Sequence, residues 1–60
     1  MLRIEAELEE DGRWLAEVPA LPGVMTYGAT ADEARSRATA LELHVIAERV
    51  EQGEALPRTA

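Results

Sequence analysis

The first part of the chain alternates between apolar and polar residues in two runs. Apolar side chains occupy every second position in Leu2–Glu9, and the same period returns in Arg13–Val18. Successive side chains of a β-strand point to opposite faces of the sheet, so this period of two predicts two strands, each with one buried face.

The segment between these runs, Glu10–Gly12, predicts a hairpin loop of three residues. Such a loop, with Gly12 in the left-handed conformation of a bulge, pairs Leu8 with Trp14 and Ala6 with Ala16, so that apolar side chains share one face. A two-residue turn would set an alanine opposite a glutamate and mix the faces. We therefore expect the longer loop, with the two strands antiparallel.

Proline and glycine are concentrated between the second strand and the run Val24–Tyr27. Pro19 and Pro22 fix φ, while Gly23 admits a positive φ, so this segment predicts a stiff turn before a third strand over Val24–Tyr27. Apolar or aromatic side chains occur on both sides of that strand. The pattern therefore leaves its buried face open.

A long helix is predicted after Thr30. Thr30 and Glu33 have the spacing of a capping box, in which the threonine oxygen accepts from the Glu33 amide and the glutamate returns to the Thr30 amide. The following residues favour a helix over Ala31–Gln52, and Gly53 is a typical C-terminal stop. The sequence thus predicts an α+β domain over 1–60, a three-stranded antiparallel β-meander with one helix across one face. In the tail, Leu56 begins a short fourth strand or the segment is irregular.

Two apolar stripes run along the predicted helix. The first suits packing on the sheet, with spacing i, i+4, i+7 and i+11, and consists of Ala34, Ala38, Leu41 and Val45. The second lies on the opposite side and consists of Leu43, Ile46, Ala47 and Val50. The helix is longer than the strands, so its last turns should overhang the sheet. We expect the second stripe to be an interface between copies, forming a homodimer or homotetramer.

Composition narrows the classes of function. The formal net charge is −6, which disfavours direct binding to nucleic acid and favours a basic protein partner. Cysteine is absent, so disulfides and thiolate chemistry are excluded, and no apolar run is long enough for a membrane span. With 60 residues the core is small and its stability alone is marginal, so we expect association with a partner. We expect a cytoplasmic protein.

Few residues are arranged for chemistry. His44 has one helical carboxylate neighbour, Glu48, and two ligands on one helix do not complete a metal site. The carboxylates of Glu5, Glu7 and Glu17 share the outer face of the sheet, where a solvated surface is a simpler interpretation than a two-metal nuclease. No phosphate-binding glycine motif occurs. We expect no catalytic residue, no metal and no cofactor.

The segment DGRWLAEVPALPGVMTYGAT, at 11–30, together with Glu33-Ala34 on the helix and GEALP at 53–57, resembles the HicB antitoxin family. The likeness extends from about Ile4 to Pro57. It implies a partly degraded ribonuclease-H-like fold without catalytic residues. It also implies a homo-oligomer that binds and neutralises a small, basic, RNA-cleaving toxin of the HicA type.

Family members that repress their own operon carry a C-terminal DNA-binding domain, which this sequence does not include, so the resemblance implies a stand-alone N-terminal domain. The expected partner-binding face of the sheet comprises Glu5, Glu7, Leu15, Glu17, Met25 and Tyr27. Two alternatives remain open: a self-assembling module without a toxin, and a residual metal-dependent nuclease.

Overall fold

The computed structural model describes residues 2–53. Three antiparallel strands form one sheet in the order β1-β2-β3, and one helix follows them. The elements are β1 (Glu5–Leu8), β2 (Trp14–Glu17), β3 (Met25–Gly28) and α1 (Ala31–Glu51). The predicted α+β fold is therefore confirmed. The fourth strand considered at Leu56 lies outside the described residues.

The first hairpin has the predicted loop and register. Leu8 pairs with Trp14 and Ala6 with Ala16. The Glu9 amide donates to the Arg13 carbonyl at 2.8 Å. The loop of three residues closes with Gly12 at φ 88°, the left-handed conformation that glycine adopts without strain. The requirement that the apolar side chains of both strands share one face was thus sufficient to predict a loop of three residues and not of two.

β1 is shorter than the alternating pattern predicts, since it begins at Glu5 and not at Leu2. Glu5 pairs with Glu17, and continuing the same register would place Arg3 opposite Pro19. Proline has no amide hydrogen to donate to a neighbouring strand. The ladder therefore ends at the first position where the partner strand cannot complete a hydrogen-bonded pair.

The segment between β2 and β3 consists of two consecutive turns. The Leu21 amide donates to the Val18 carbonyl at 2.9 Å, and the Val24 amide donates to the Leu21 carbonyl at 3.0 Å. In the second turn Pro22 precedes Gly23, whose φ is 90°, as a type II turn requires. Leu21, between the two turns, is fully buried, so the prolines turn an apolar side chain into the core.

The structure shows which face of β3 is buried. Val24 is buried just before the strand, and the Thr26 hydroxyl donates to the Ala34 carbonyl of the helix at 2.8 Å. Gly28 belongs to the strand, where it pairs with Trp14, although the sequence suggested that the strand ends before it. A Cβ at Gly28 would lie 2.6 Å from the Ala34 nitrogen. This glycine therefore admits the helix backbone directly onto the sheet.

α1 begins and ends close to the predicted residues. The Thr30 oxygen accepts from the Glu33 amide at 3.1 Å, as a helix N-cap does. The Glu33 carboxylate, however, accepts from the Ala29 amide at 3.1 Å and not from that of Thr30, so the reciprocal half of the capping box is displaced by one residue. At the other end Gln52 is the C-cap, and Gly53 has a φ of 81°.

The first helical stripe packs on the sheet as predicted. Ala34 and Ala38 are fully buried, while Leu41 and Val45 are partly buried against the same core. The other buried apolar residues of that core are Leu2, Ala16, Val18, Leu21 and Val24. No helical residue after Glu42 is fully buried within the described part, as expected for last turns that extend beyond the sheet.

Glu42 departs most clearly from expectation. In the sequence it stands between the two apolar stripes of the helix, on the flank that also contains Arg35 and Arg49, yet it is fully buried. Its Oε1 accepts a hydrogen bond from the Leu2 amide at 3.1 Å, so the N-terminal segment covers it. Within residues 2–53 its Oε2 has no hydrogen-bond partner. Burying a carboxyl group costs free energy unless its oxygens are hydrogen-bonded, and the Leu2 amide satisfies one of the two. The fold therefore depends on this hydrogen bond to hold the N-terminal segment against the helix.

Candidate functional site

The face of the sheet opposite the helix collects the residues expected to contact a partner. Residues Ala6, Ala16 and Thr26 pair across the sheet on the side of the helix. Their neighbours point the other way, because side chains alternate along a strand. We call this other side the outer sheet face; it contains Glu5, Glu7, Leu15, Glu17, Met25 and Tyr27. All six predicted residues therefore share one surface.

Two rows cross the outer sheet face from β1 to β3. Glu7 is paired with Leu15, and Leu15 with Tyr27. In the second row Glu5 is paired with Glu17, and Glu17 with Met25. Each row begins with a carboxylate on β1 and ends with an apolar or aromatic side chain on β3, so acidic and apolar character lie on opposite sides of one surface.

The pairing of Glu5 with Glu17 opposes folding. Like charges directly across a pair of strands destabilise a sheet by a few tenths of a kcal/mol or more. The Arg3 Nη2 lies 3.5 Å from the Glu5 Oε2 and relieves part of this repulsion. Within residues 2–53, Glu7 and Glu17 make no ion pair, so their charges face the solvent uncompensated.

Arg13 also belongs to the outer sheet face, although the sequence reasoning did not include it. Its guanidinium carbon lies 4.3 Å from the centre of the Tyr27 ring, a cation–π contact. Asp11 holds the arginine: Asp11 Oδ1 accepts from the Arg13 amide at 3.0 Å, and Oδ2 accepts from Nε at 2.7 Å. Both hydrogen bonds hold the pKa of Asp11 below its ordinary value, and the bond from the Arg13 backbone amide has the larger effect. Arg13 precedes Leu15 by two residues, so the alternation of side chains along the strand could have placed both on the same face.

Both edges of the sheet are partly covered by arginines from the helix. Arg35 Nη1 donates to the Ile4 carbonyl at 3.0 Å, and Arg37 Nη1 donates to the Tyr27 carbonyl at 2.8 Å. Hydrogen-bonded and non-bonded pairs alternate in an antiparallel ladder, and by this alternation both carbonyls point away from β2. An incoming strand would have to displace these arginines, so the edges are less available than the outer sheet face.

A second apolar surface lies on the overhanging part of α1. Leu43 is 51% exposed and Val50 52% exposed, with Ala47 exposed between them. We call these three residues the outer helix stripe. Ile46, which was predicted to belong to it, is instead partly buried against the core. It follows Glu42 by four residues and so lies on the same side of the helix as that buried residue.

The described residues contain no group of three potential metal ligands close enough to hold an ion. The carboxylates of Glu5, Glu7 and Glu17 share a face but do not converge on one point. His44 Nε2 lies 3.9 Å from Glu48 Oε2 on the exposed side of the helix, the longest of the ion-pair distances. A shallow depression at the hairpin turn has charged lining residues without a nucleophile or imidazole, namely Glu9, Glu10, Asp11 and Arg13.

Within residues 2–53, no helix combines the length and the apolar character needed to cross a membrane. No model of a protein family matches the chain, and neither a curated protein nor a solved structure matches it.

Proposed function

We propose that this protein is a non-catalytic, HicB-like antitoxin, or a module derived from one, that binds and neutralises a small basic RNA-cleaving toxin by protein–protein contact. The observation that carries the proposal is the outer sheet face, which combines uncompensated carboxylates with exposed apolar side chains. Met25 is 47% exposed and Tyr27 38% exposed on this surface. Such a combination suits a partner with basic and apolar groups, since complementary charge speeds encounter and apolar contact supplies affinity.

Two further features support the proposal. The motif over 11–30 is the one that resembles HicB antitoxins, and its turn and third strand carry the apolar half of the outer sheet face. The net charge of −6 favours a basic partner over a nucleic acid. We place the activity in the cytoplasm, where such a toxin would cleave RNA.

The test is neutralisation of a toxin encoded next to this chain. A neighbouring reading frame of similar length, strongly basic and with a single histidine, would be expressed in bacteria with and without this protein. We expect growth arrest and RNA cleavage by the basic protein alone, and loss of both when this chain is present. Unimpaired RNA cleavage in the presence of an excess of this chain would contradict the proposal.

A self-assembling module is the second candidate, and the outer helix stripe favours it. If this stripe joins copies of the chain, Leu43→Glu should reduce the mass of the particle measured by sedimentation to that of one chain. Gln52→Glu, which adds the same charge at an exposed position on the opposite side of the helix from Leu43, is the control and should leave the mass unchanged. If the wild-type protein sediments as a single chain, the outer helix stripe does not join copies of it. A pull-down from the native host that returns only the chain itself would favour this candidate over the antitoxin.

A further inference from the structure

We infer that the outer sheet face is a docking site for a basic amphipathic helix that lies along the strands, with its basic side over β1 and its apolar side over β3. This inference rests on the proposed function and deepens it, since it states which part of a basic partner would bind and in what orientation. The structural feature behind it is the separation of acidic and apolar side chains across the sheet.

The dimensions of the surface suit one helix. Neighbouring strands lie about 4.8 Å apart, so β1 and β3 are separated by about 10 Å, close to the diameter of a helix with its side chains. One helix aligned with the strands therefore reaches both sides. Glu5 and Glu7 are two residues apart, about 7 Å along the strand, which is close to the 6 Å rise between helix residues i and i+4. Basic residues four apart would thus face successive carboxylates.

Charge distribution selects the partner. Arg3 is engaged with Glu5, and Arg13 with Asp11, which leaves Glu7 and Glu17 as the carboxylates of this surface without an ion pair among residues 2–53. A lysine or arginine from a partner would pair with them and also relieve the repulsion between Glu5 and Glu17. Nucleic acid and anionic lipid would instead be repelled.

Two other occupants fit less well. A partner strand binds at a sheet edge, and at both edges an arginine of α1 already bonds a strand carbonyl, that of Ile4 or that of Tyr27. A second copy would bring its own carboxylates onto this surface, because the outer sheet face is acidic and the outer helix stripe is bordered by Glu48 and Glu51. A basic helix meets Glu7 and Glu17 with its basic side and Leu15 and Met25 with its apolar side. The Arg13 guanidinium, whose charge is offset by Asp11, covers the Tyr27 ring and moves aside when such a helix docks there.

The test uses a model peptide and the whole chain. A 14-residue helical peptide of lysine and leucine, with lysines along one flank, is titrated into isotope-labelled protein while amide chemical shifts are recorded. We expect the largest shifts at Leu15, Glu17 and Tyr27. Affinity should fall at least tenfold in the double variant Glu7→Lys, Glu17→Lys and also fall with added salt.

Two controls separate a specific site from bulk charge. The double variant Glu48→Lys, Glu51→Lys changes the net charge by the same amount on the helix and should leave the affinity within twofold of wild type. A peptide with glutamate in place of lysine should not bind. Equal weakening by both double variants, shifts centred on the outer helix stripe, or binding of the glutamate peptide would each overturn the inference. Shifts of the outer sheet face that depend on protein concentration without peptide would show that a second copy occupies it, and would overturn it as well.

Failure of this inference is distinguishable from failure of the proposed function. If wild type neutralises the toxin and the Glu7→Lys, Glu17→Lys variant does so equally well, the antitoxin proposal stands and the docking site is wrong. If the peptide binds as expected while wild type leaves RNA cleavage unimpaired, the docking site stands and the toxin is not the partner.

Discussion

At Gly28 the backbone of the helix lies directly against the sheet, and Gly28→Ala tests this packing. The new Cβ would lie 2.6 Å from the Ala34 nitrogen and 3.1 Å from both the Ala34 Cα and the Glu33 carbonyl carbon. All three atoms belong to the helix backbone, so no side chain can move aside. Restoring ordinary contact at 3.4 Å requires the first turn of α1 to retreat by about 0.8 Å.

The magnitude follows from two losses. Overpacking of this kind costs about 1–3 kcal/mol. The hydrogen bond from the Thr26 hydroxyl to the Ala34 carbonyl, now 2.8 Å, would also lengthen, at a cost of about 1 kcal/mol. We expect a total of about 2–4 kcal/mol, which is most of the stability that a domain of this size has, and a melting temperature lower by roughly 10–30 °C.

Urea and thermal unfolding, followed by circular dichroism, measure this loss. Gly12→Asn is the matched control: Gly12 has a φ of 88° and no atom near its would-be Cβ within 4 Å, and asparagine tolerates that conformation. It should cost about 1 kcal/mol, the strain of a side chain at a positive φ, and therefore less than Gly28→Ala. If Gly28→Ala were equally mild, the helix would not contact the sheet at this position as described.

Three further predictions concern other contacts. Glu42→Ala removes the acceptor of the Leu2 amide and should cost about 2 kcal/mol in urea unfolding, whereas Glu42→Gln keeps an acceptor oxygen and should cost about 1 kcal/mol or less. Thr30→Ala removes the N-cap acceptor of the Glu33 amide and should cost about 1 kcal/mol, with Thr30→Ser close to wild type; equal losses would contradict a capping role. The lowered pKa of Asp11 stabilises the fold above its unfolded value of 3.8 and ceases to do so as the pH falls through the folded value. The urea midpoint of Asp11→Asn should therefore lie below that of wild type at neutral pH, and the difference should shrink below pH 3.8.

Local rules were enough to predict the number and order of the strands, the hairpin loop and, to within one residue, the limits of the helix, but not the start of β1 or the end of β3. The register of β1 and β2 followed from one requirement, that Leu8 and Ala6 stay on the face of Trp14 and Ala16. Turn residues and the N-cap threonine act within a few positions, so their effect is visible in the sequence. The outer sheet face could be predicted for the same reason, since a fixed register determines which side chains share a surface.

The features that could not be predicted depend on contacts between distant segments. Glu42 has an ordinary flank position on the helix, and only the Leu2 segment, forty residues away, makes it buried. Ile46 lies one turn after Glu42 on the same side of the helix and is therefore also partly buried. The face of β3 was ambiguous because its apolar side chains occur on both sides, and the deciding residue is Gly28, whose missing side chain carries no hydropathy signal.

The spacing of Arg35 and Arg37 determines which surfaces of the sheet remain available. Two positions along a helix correspond to a rotation of about 200°, so these residues project from opposite flanks. One flank lies over β1 and the other over β3, where the arginines reach the carbonyls of Ile4 and Tyr27. A three-stranded sheet has two edges that could pair with another chain, and one short stretch of helix covers part of both. A partner would therefore meet less competition at the outer sheet face and the outer helix stripe, where the exposed apolar side chains of β3 and of the last helical turns lie, than at the two edges.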